Sequence, residues 1–216
     1  YEIPLRLVGS EMCIRDRITT GLLHDTIEDT FATYETIKSE FGDEVAELVD
    51  GVTKISVFEN TAATNSKAEN FRKLFVAMSK DLRVLLVKLS DRLHNMRTIR
   101  ALPVEKQVRK ARETMEIFAP LAGRMGMQSM REELEDLSFR VLNPEARNSI
   151  IRRFLTLRKE TDDLVPKILN DINQQLEKEK LNARVTGREK KPYSIWRKMQ
   201  DKKEGFTRLS DIYGFR

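Results

Sequence analysis

The sequence predicts a mainly α-helical protein whose last segment opens an α/β domain, and three observations support this prediction. Charged side chains make up 34% of the chain, whereas glycine and proline are few, a composition that suits helices better than a sandwich of short strands. Apolar residues recur at intervals of three and four, which keeps one face of a helix buried. Only near the C-terminus does the spacing change to that of strands.

Composition also limits the classes of function. The single cysteine, Cys13, cannot form an internal disulfide or a cysteine-rich zinc site, so we expect a reducing, cytoplasmic compartment. No apolar run approaches the roughly 20 residues of a membrane-spanning helix, so we expect no membrane partner. The net charge is +5, with the basic excess in residues 145–216. A nucleotide, an RNA or an acidic protein is therefore expected to bind there.

Residues 1–17 show no clear helical or strand period and lack the features of a signal peptide. Part of this stretch, residues 8–17, resembles a translated adapter sequence from assembled libraries. We therefore interpret residues 1–17 as a doubtful, artefactual segment in place of the natural N-terminus.

From residue 18 the chain reads as helices separated by polar joints. Gly42 and Asp43 predict a turn, and residues 59–65 predict a loop rich in Asn, Thr and Ala. A long apolar series over residues 71–96 has helical spacing, which predicts a buried helical face. Asp81 interrupts this series and is expected to cap a break between two helices.

The middle of the chain continues in helices. The spacing predicts a helix over residues 104–118 and an amphipathic helix over residues 128–142. Pro120, Gly123 and Gly126 lie between them, and they predict a joint.

The C-terminal part begins as a helix and ends in strands. Asn143 as the cap and Pro144 at the first position predict the start of a long helix that reaches about residue 180, with Pro166 kinking or dividing it. Residues 183–186 and 212–215 then read as short strands that flank a helix over residues 193–202.

A first polar cluster lies in the segment 21–30 and consists of His24, Asp25, Glu28 and Asp29. On a single helix these side chains would share one face, while Leu22, Leu23 and Ile27 would face inward. Carboxylates crowded beside an imidazole repel one another at neutral pH, and a divalent cation neutralises them. The alternative is a solvated acidic helix end, which this motif alone slightly favours.

A second polar group, Asp91, His94, Asn95 and Thr98, lies far downstream on the strongly periodic helix. Its members occupy adjoining ridges of one helical surface. Either group alone is compatible with a satisfied structural network. A His-Asp pair combined with a distant Asp resembles the metal-ligand pattern of the HD hydrolases, which makes the combination far less accidental.

Three motifs, HDTIEDT (24–30), VTKIS (52–56) and SDRLHNMRT (90–98), resemble in this order the hydrolase domain of the bifunctional RelA/SpoT homologues. Those enzymes act on guanosine 3′,5′-bis(diphosphate), the bacterial starvation alarmone, and the likeness extends over residues 18–216. It implies an HD-domain helical bundle at 18–118 and a helical connector at 119–143. Residues 144–216 would form the truncated start of an α/β nucleotidyltransferase-like synthetase domain.

The resemblance implies a hydrolase site in which His24, Asp25 and Asp91 bind Mn²⁺. Glu28 and Asp29 would orient or deprotonate the attacking water beside the 3′ diphosphate. The implied reaction converts guanosine 3′,5′-bis(diphosphate), or its pentaphosphate counterpart, to GDP or GTP and pyrophosphate. Metal assistance would offset the charge that builds on the phosphoryl oxygens.

The resemblance further implies that Asn95 and Thr98 contact the nucleotide. His94 invites assignment as a metal ligand, but the family does not use this position, so we expect it either to be structural or to support a ligand without binding the metal. The family's first metal-binding His lies upstream, and no His precedes His24. We therefore expect weakened metal binding and impaired turnover in this chain.

A basic segment near the C-terminus resembles the ATP-binding part of the family's synthetase domain. The matching residues are Arg188, Lys190, Ser194 and Lys198, and Asp211 matches the Mg²⁺-binding Asp. The implied reaction transfers pyrophosphate from ATP to the 3′ hydroxyl of GDP or GTP. The remaining parts of that site, and the domains that meet the ribosome or regulators, would follow residue 216. We expect Lys202 and Lys203 to be solvated, and Trp196 to pack on the connector rather than on a base.

Two other functions remain open at this point. One is a stand-alone HD-type nucleotide phosphohydrolase with an unrelated basic tail, which the segments GREKKPYSIWRKM and SDIYGFR disfavour. The other is a non-catalytic helical module that binds nucleic acid through its basic end. Tight, steeply salt-dependent RNA binding without affinity for guanine nucleotides would favour the second alternative.

Overall fold

The computed structural model describes residues 11–61, 81–161, 164–202, 205 and 212–215, and helices dominate these residues, as the sequence predicts. The N-terminal helices are α1 (Glu11–Leu23), α2 (Thr26–Asp29), α3 (Tyr34–Phe41), α4 (Asp43–Thr61) and α5 (Leu82–Arg97). A 3₁₀ turn (Ile99–Ala101) then leads to α6 (Val104–Glu113), a π-helical turn (Thr114–Phe118), α7 (Ala119–Arg124) and α8 (Gln128–Leu142).

The C-terminal part adds three helices and a small sheet. In chain order these are α9 (Pro144–Thr161), α10 (Leu164–Lys178), β1 (Gly187–Glu189), α11 (Pro192–Lys202) and β2 (Tyr213–Phe215). Strands β1 and β2 pair antiparallel, with Gly187 opposite Phe215. No helix in the described ranges is both long and apolar enough to cross a membrane.

Local signals explain several boundaries that the sequence predicts. The Asp81 carboxylate accepts a hydrogen bond from the backbone N–H of Arg83 at 2.8 Å, which caps α5 as expected. Gly42 has a φ of 89°, a conformation that side chains disfavour, and it separates α3 from α4. Helix α8 has the bounds predicted for it. Pro166 is the third residue of α10; residues 162–163, between α9 and α10, lie outside the described residues, so the predicted kink or division there stays a prediction.

The predicted joint around Pro120 is shifted in the structure. The helical run does not end at Phe118 but continues through α7 to Arg124. Pro120 is tolerated because it lies in the first turn of α7, with one residue between it and the π-helical turn, which already interrupts the regular hydrogen-bond pattern. The reversal occurs at Gly126, whose φ is 76°.

Two other boundaries were predicted wrongly. Residues 183–186 are not a strand, because pairing begins at Gly187, where a Cβ would lie only 2.8 Å from the Phe215 ring. Helix α4 continues to Thr61, although a loop was predicted from residue 59. The rest of that predicted loop, and the apolar series before Asp81, lie outside the described residues.

Three apolar clusters position these elements. The main cluster joins α4 through α8, and its most deeply buried members include Leu89, Met96, Phe118 and Leu134. A small cluster of α3 and α4 packs against Leu23 and Ile27. The third cluster unites α8, α9 and α11, and contains Phe139, Ile150, Phe154 and Ile195. Helix α8 therefore belongs to both larger cores.

Trp196 packs as the sequence predicts. Its ring lies 5.3 Å from that of Phe139 on α8 and 6.0 Å from that of Tyr193, measured between centroids. These contacts attach α11 to the predicted connector. Edge and stacked ring contacts of this kind add to the burial of apolar surface.

Candidate metal centre

The first polar motif was predicted to lie on one continuous helix. In the structure it instead spans a break between α1 and α2. The turn is closed by two short hydrogen bonds: Thr26 Oγ1 donates to the Leu23 carbonyl at 2.6 Å, and His24 Nδ1 contacts the Gly21 carbonyl at 2.7 Å. The prediction that Leu22 faces inward is also wrong, since it is 79% exposed. Local polar bonds compete with helix continuation here.

The break aims the other nitrogen of His24 at two carboxylates. Nε2 lies 3.0 Å from Asp25 Oδ2 and 3.4 Å from Asp91 Oδ1. Because only N–H can donate to a carbonyl, the Gly21 contact places a proton on Nδ1 and leaves Nε2 as the metal-binding atom. Nε2 is buried and has no well-formed hydrogen bond. Once it has lost its proton, a buried ring nitrogen of this kind is suited to a cation.

Asp91 is held on α5 by two neighbours on the same helix. Asn95 Nδ2 donates to Asp91 Oδ1 at 2.7 Å, and Lys88 Nζ lies 3.3 Å from Asp91 Oδ2. Burial alone would raise the pKa of Asp91, but the contacts with His24 and Lys88 outweigh it and lower this pKa to about 2. The carboxylate is therefore ionised near neutral pH, the state in which it binds metal.

The same contacts act in the opposite direction on the imidazole. The Asp91 carboxylate raises the pKa of His24 from 6.5 to about 9, although burial opposes this shift. Without a cation, a proton on Nε2 would neutralise the two acids. A metal ion would compete with that proton for the same place.

The donor set fits a divalent metal ion. One imidazole nitrogen and two carboxylates are suitable ligands for such ions. Asp25 and Asp91 both converge on His24. Within the described residues, however, no group of three or more His, Cys, Asp or Glu side chains already has the arrangement of a complete metal site.

The structure places the remaining hydrolase residues around this centre. Glu28 and Asp29 end α2, where both are exposed and their amides bond to the Asp25 carbonyl at 3.1 and 2.9 Å. No hydrogen bond or ion pair links their side chains to the other described residues of the centre. Thr98 caps α5, and its hydroxyl donates to the backbone carbonyl of His94. The side chain of His94 is exposed. The roles predicted for these residues stay predictions.

Lys88 was missed by the sequence reasoning. Its side chain is 6% exposed and its ammonium group contacts Asp91. The available signal was a single charge inside the apolar run of α5, since a lysine in a core requires an acidic partner. Position 88 precedes Asp91 by three residues, which is one turn of a helix.

The basic C-terminal segment is arranged differently. The two terminal nitrogens of Arg188, Nη1 and Nη2, donate to the carboxylate of Glu132 on α8, a bidentate ion pair that the sequence did not suggest. Lys190, Ser194 and Lys198 are partly buried on or beside β1 and α11. Asp211, the predicted Mg²⁺ ligand, lies outside the described residues, as does Lys203.

The chain is similar to a known domain family and to several curated proteins. A model of the HD domain family matches residues 7–128, and HD domains are metal-dependent hydrolases. The chain is 51% identical over 199 residues to a GTP pyrophosphokinase rsh of Brucella melitensis, covering 92% of this chain and 26% of that protein. The chain thus spans about a quarter of the length of the curated relatives it matches.

Two other relatives carry related names. The guanosine-3′,5′-bis(diphosphate) 3′-pyrophosphohydrolase of Haemophilus influenzae is 44% identical over 202 residues, covering 93% of this chain and 30% of that protein. A probable GTP pyrophosphokinase of Mycobacterium leprae is 48% identical over 200 residues, covering 92% of this chain and 25% of that protein. The similarity to all three extends well beyond the residues matched by the HD model.

Proposed function

Because this chain belongs to the HD-domain family and is of the RelA/SpoT type, we propose that its metal centre hydrolyses guanosine 3′,5′-bis(diphosphate). The products are pyrophosphate and GDP, or GTP when the substrate is the pentaphosphate. The observation that carries the proposal is the buried Nε2 of His24, which lies between the carboxylates of Asp25 and Asp91 without a well-formed hydrogen bond.

His24, Asp25 and Asp91 hold the metal in this proposal. A divalent ion, which we propose to be Mn²⁺, supplies Lewis acidity at the phosphoryl group when it is bound. Lys88 and Asn95 fix the Asp91 carboxylate from two sides, so its orientation does not depend on the metal. Such supporting contacts tune affinity by one to two orders of magnitude, roughly, in known metal sites.

Glu28 and Asp29 are proposed to orient the attacking water or accept its proton. Their exposure at the end of α2 supports this role, because an exposed carboxylate remains accessible to water and substrate. Asn95 and Thr98 are proposed to contact the nucleotide. The amide of Asn95 already donates one hydrogen bond to Asp91, which leaves its second N–H and its carbonyl oxygen for the nucleotide.

The segment after α9 is proposed to contribute to ATP binding through Arg188, Lys190, Ser194 and Lys198, with Mg²⁺ on Asp211. GDP or GTP would be the acceptor of pyrophosphate. Arg188 would have to exchange Glu132 for phosphate, and its 60% exposure supports such an exchange. This proposal also includes the domain boundaries after residues 118 and 143, a cytoplasmic location, and ribosomal or regulatory partners that bind other parts of the protein.

The experiment supplies the chain with Mn²⁺ and guanosine 3′,5′-bis(diphosphate) and measures pyrophosphate release. We expect weak release, because no His precedes His24, but this release should require Mn²⁺, be lost in Asp91→Ala and be retained in His94→Ala, the other histidine. Binding of Mn²⁺ is measured on the same samples by electron paramagnetic resonance, because it reports on the site without turnover. Absence of Mn²⁺ binding, or turnover that survives Asp91→Ala, would overturn the proposal.

A further inference from the structure

A separate cavity of about 340 Å³ lies between the start of α6 and the corner where α8 meets α9. It shares no lining residue with the metal centre or with the predicted ATP-binding segment. Three arginines line it, from the 3₁₀ turn before α6, from α8 and from α9, while the rest of the wall is partly apolar. These side chains are Arg100, Arg140 and Arg147, with Ile99, Val104 and Val141.

The positive charge in this cavity is not balanced by its walls. No acidic residue is among those that line it. The nearby carboxylate of Asp136 is already paired with Arg147, at 2.7 Å. Three guanidinium groups thus line a cavity whose lining residues include no acid, an arrangement that repulsion between like charges disfavours.

Arg140 is the least satisfied of the three. Its Nη2 is buried and has no hydrogen-bond partner among the described residues. Burial, followed by the neighbouring charges of Arg100 and Arg147, lowers the pKa of Arg140 from its ordinary value. An unsatisfied buried donor carries a free-energy cost that a bound acceptor would remove.

We propose that this cavity binds a diphosphate group, either free pyrophosphate or the diphosphate of a nucleotide, with Arg140 as the central donor. Phosphate oxygens accept bidentate hydrogen bonds from guanidinium groups, and their charge offsets the repulsion among the arginines. The amide of Asn148, which also lines the cavity, adds a neutral donor. The cavity volume is at the lower end of the range for small-molecule sites.

The test is calorimetric titration of the full chain with pyrophosphate in the presence of EDTA, so that no metal occupies the other centre. We expect saturable binding that weakens at high salt. Arg140→Gln and Arg147→Gln should each weaken it by about tenfold or more, because each removes a charge-assisted contact. Arg152→Gln is the matched control, since Arg152 is an exposed arginine of α9 outside the cavity.

Further titrations distinguish free pyrophosphate from the diphosphate of a nucleotide as the ligand. Tighter binding of GDP than of pyrophosphate would identify a nucleotide, and the reverse order would identify the free anion. Binding should persist in Asp91→Ala, which distinguishes this cavity from the metal centre. Arg100→Gln changes an exposed side chain and provides a readout should Arg140→Gln fail to fold.

Three results would overturn the proposal. The first is absence of saturable binding of both pyrophosphate and GDP to the unaltered chain. The second is unchanged affinity in the folded cavity variants. The third is binding of guanosine as tight as that of GDP, which would show that phosphate is not the recognised group.

Discussion

The metal centre and the basic C-terminal segment, formed by β1 and α11, hold their charged groups in different ways. In the metal centre, His24 and Lys88 both contact the Asp91 carboxylate, and the side chains of Lys88 and Asp91 are largely buried. In the basic segment, Arg188 is mostly exposed and reaches across to Glu132. Aromatic contacts between α11 and α8, rather than charges, anchor this segment.

This difference shows what fixes each region. Buried charges must find opposite partners, so the packing of α1, α4 and α5 determines the geometry around Asp91. An exposed arginine loses little when it changes partner, so the basic segment is positioned by its apolar core. The two regions should therefore respond to different substitutions.

Removing the ring of Phe139 should have the largest effect. Phe139 is 1% exposed and contacts both Tyr193 and Trp196. Loss of a buried aromatic ring costs about 3 to 5 kcal/mol, so Phe139→Ala should destabilise the C-terminal core. Hydrogen exchange should increase in α11 more than in α5. Phe31→Ala, at a fully exposed position, is the control, and equal loss of protection in both helices would contradict separate cores.

Asp91→Ala should have the next largest effect, and it acts on the metal centre. It removes one proposed ligand and leaves Lys88 buried without that partner, so Mn²⁺ affinity should fall by about 100-fold or more. Electron paramagnetic resonance titration measures this change. Asp171→Ala, at an exposed site on α10, should leave the affinity unaltered. Equal affinities in all three proteins would show that Asp91 is no ligand.

Two glycines are predicted to change the free energy of unfolding in opposite directions when each is replaced by alanine. A Cβ at Gly51 would lie 2.9 Å from Cγ2 of Val84, so Gly51→Ala should overpack α4 against α5 and destabilise the fold by about 1 to 3 kcal/mol. Gly21 on α1 has open space around it, and Gly21→Ala should stabilise by roughly 0.5 to 1 kcal/mol. Urea unfolding measures both. A stabilising Gly51→Ala would refute the close approach.

Glu132→Gln should destabilise the fold by only about 1 kcal/mol at neutral pH, because its partner Arg188 is exposed. Burial would raise the pKa of Glu132, but hydrogen bonds from Arg188 and Gln128 outweigh it, and the pKa is lowered. A lowered pKa contributes stability above the unfolded value of 4.5, and this contribution is lost as pH falls through the folded value.

Urea unfolding at several pH values tests this dependence. The stability difference between the unaltered chain and Glu132→Gln should be full near pH 7 and should shrink in acid, below roughly pH 4. Glu179→Gln, which changes an exposed glutamate, should show no such difference. A difference that stays constant across the pH range would contradict an ionic contribution from Glu132.

The sequence predicted what depends on neighbouring residues. The bounds of α8, the cap at Asp81 and the turn at Gly42 follow from apolar spacing and from the chemistry of single side chains. The placement of His24, Asp25 and Asp91 in one site came from the family resemblance, and the structure brings these three residues together. The amino-acid composition alone did not indicate that these residues share a site.

Other features depend on contacts that are distant in sequence. The break at His24 requires a balance between helix continuation and local polar bonds that the apolar period does not reveal. At Gly187, the first residue of β1, a Cβ would lie only 2.8 Å from the Phe215 ring, a contact that the local sequence does not reveal. The pair between Arg188 and Glu132 joins residues 56 positions apart, and neither local sequence indicates the other.

The most direct test of the metal centre uses the fact that the chain has only two histidines, His24 and His94. Pulsed electron paramagnetic resonance of Mn²⁺ bound to protein labelled with ¹⁵N-histidine detects a coordinated imidazole nitrogen. We predict one such coupling, lost in His24→Gln and retained in His94→Gln. No nitrogen coupling in the unaltered protein, or a coupling that persists in His24→Gln, would contradict the assignment of His24 as a metal ligand.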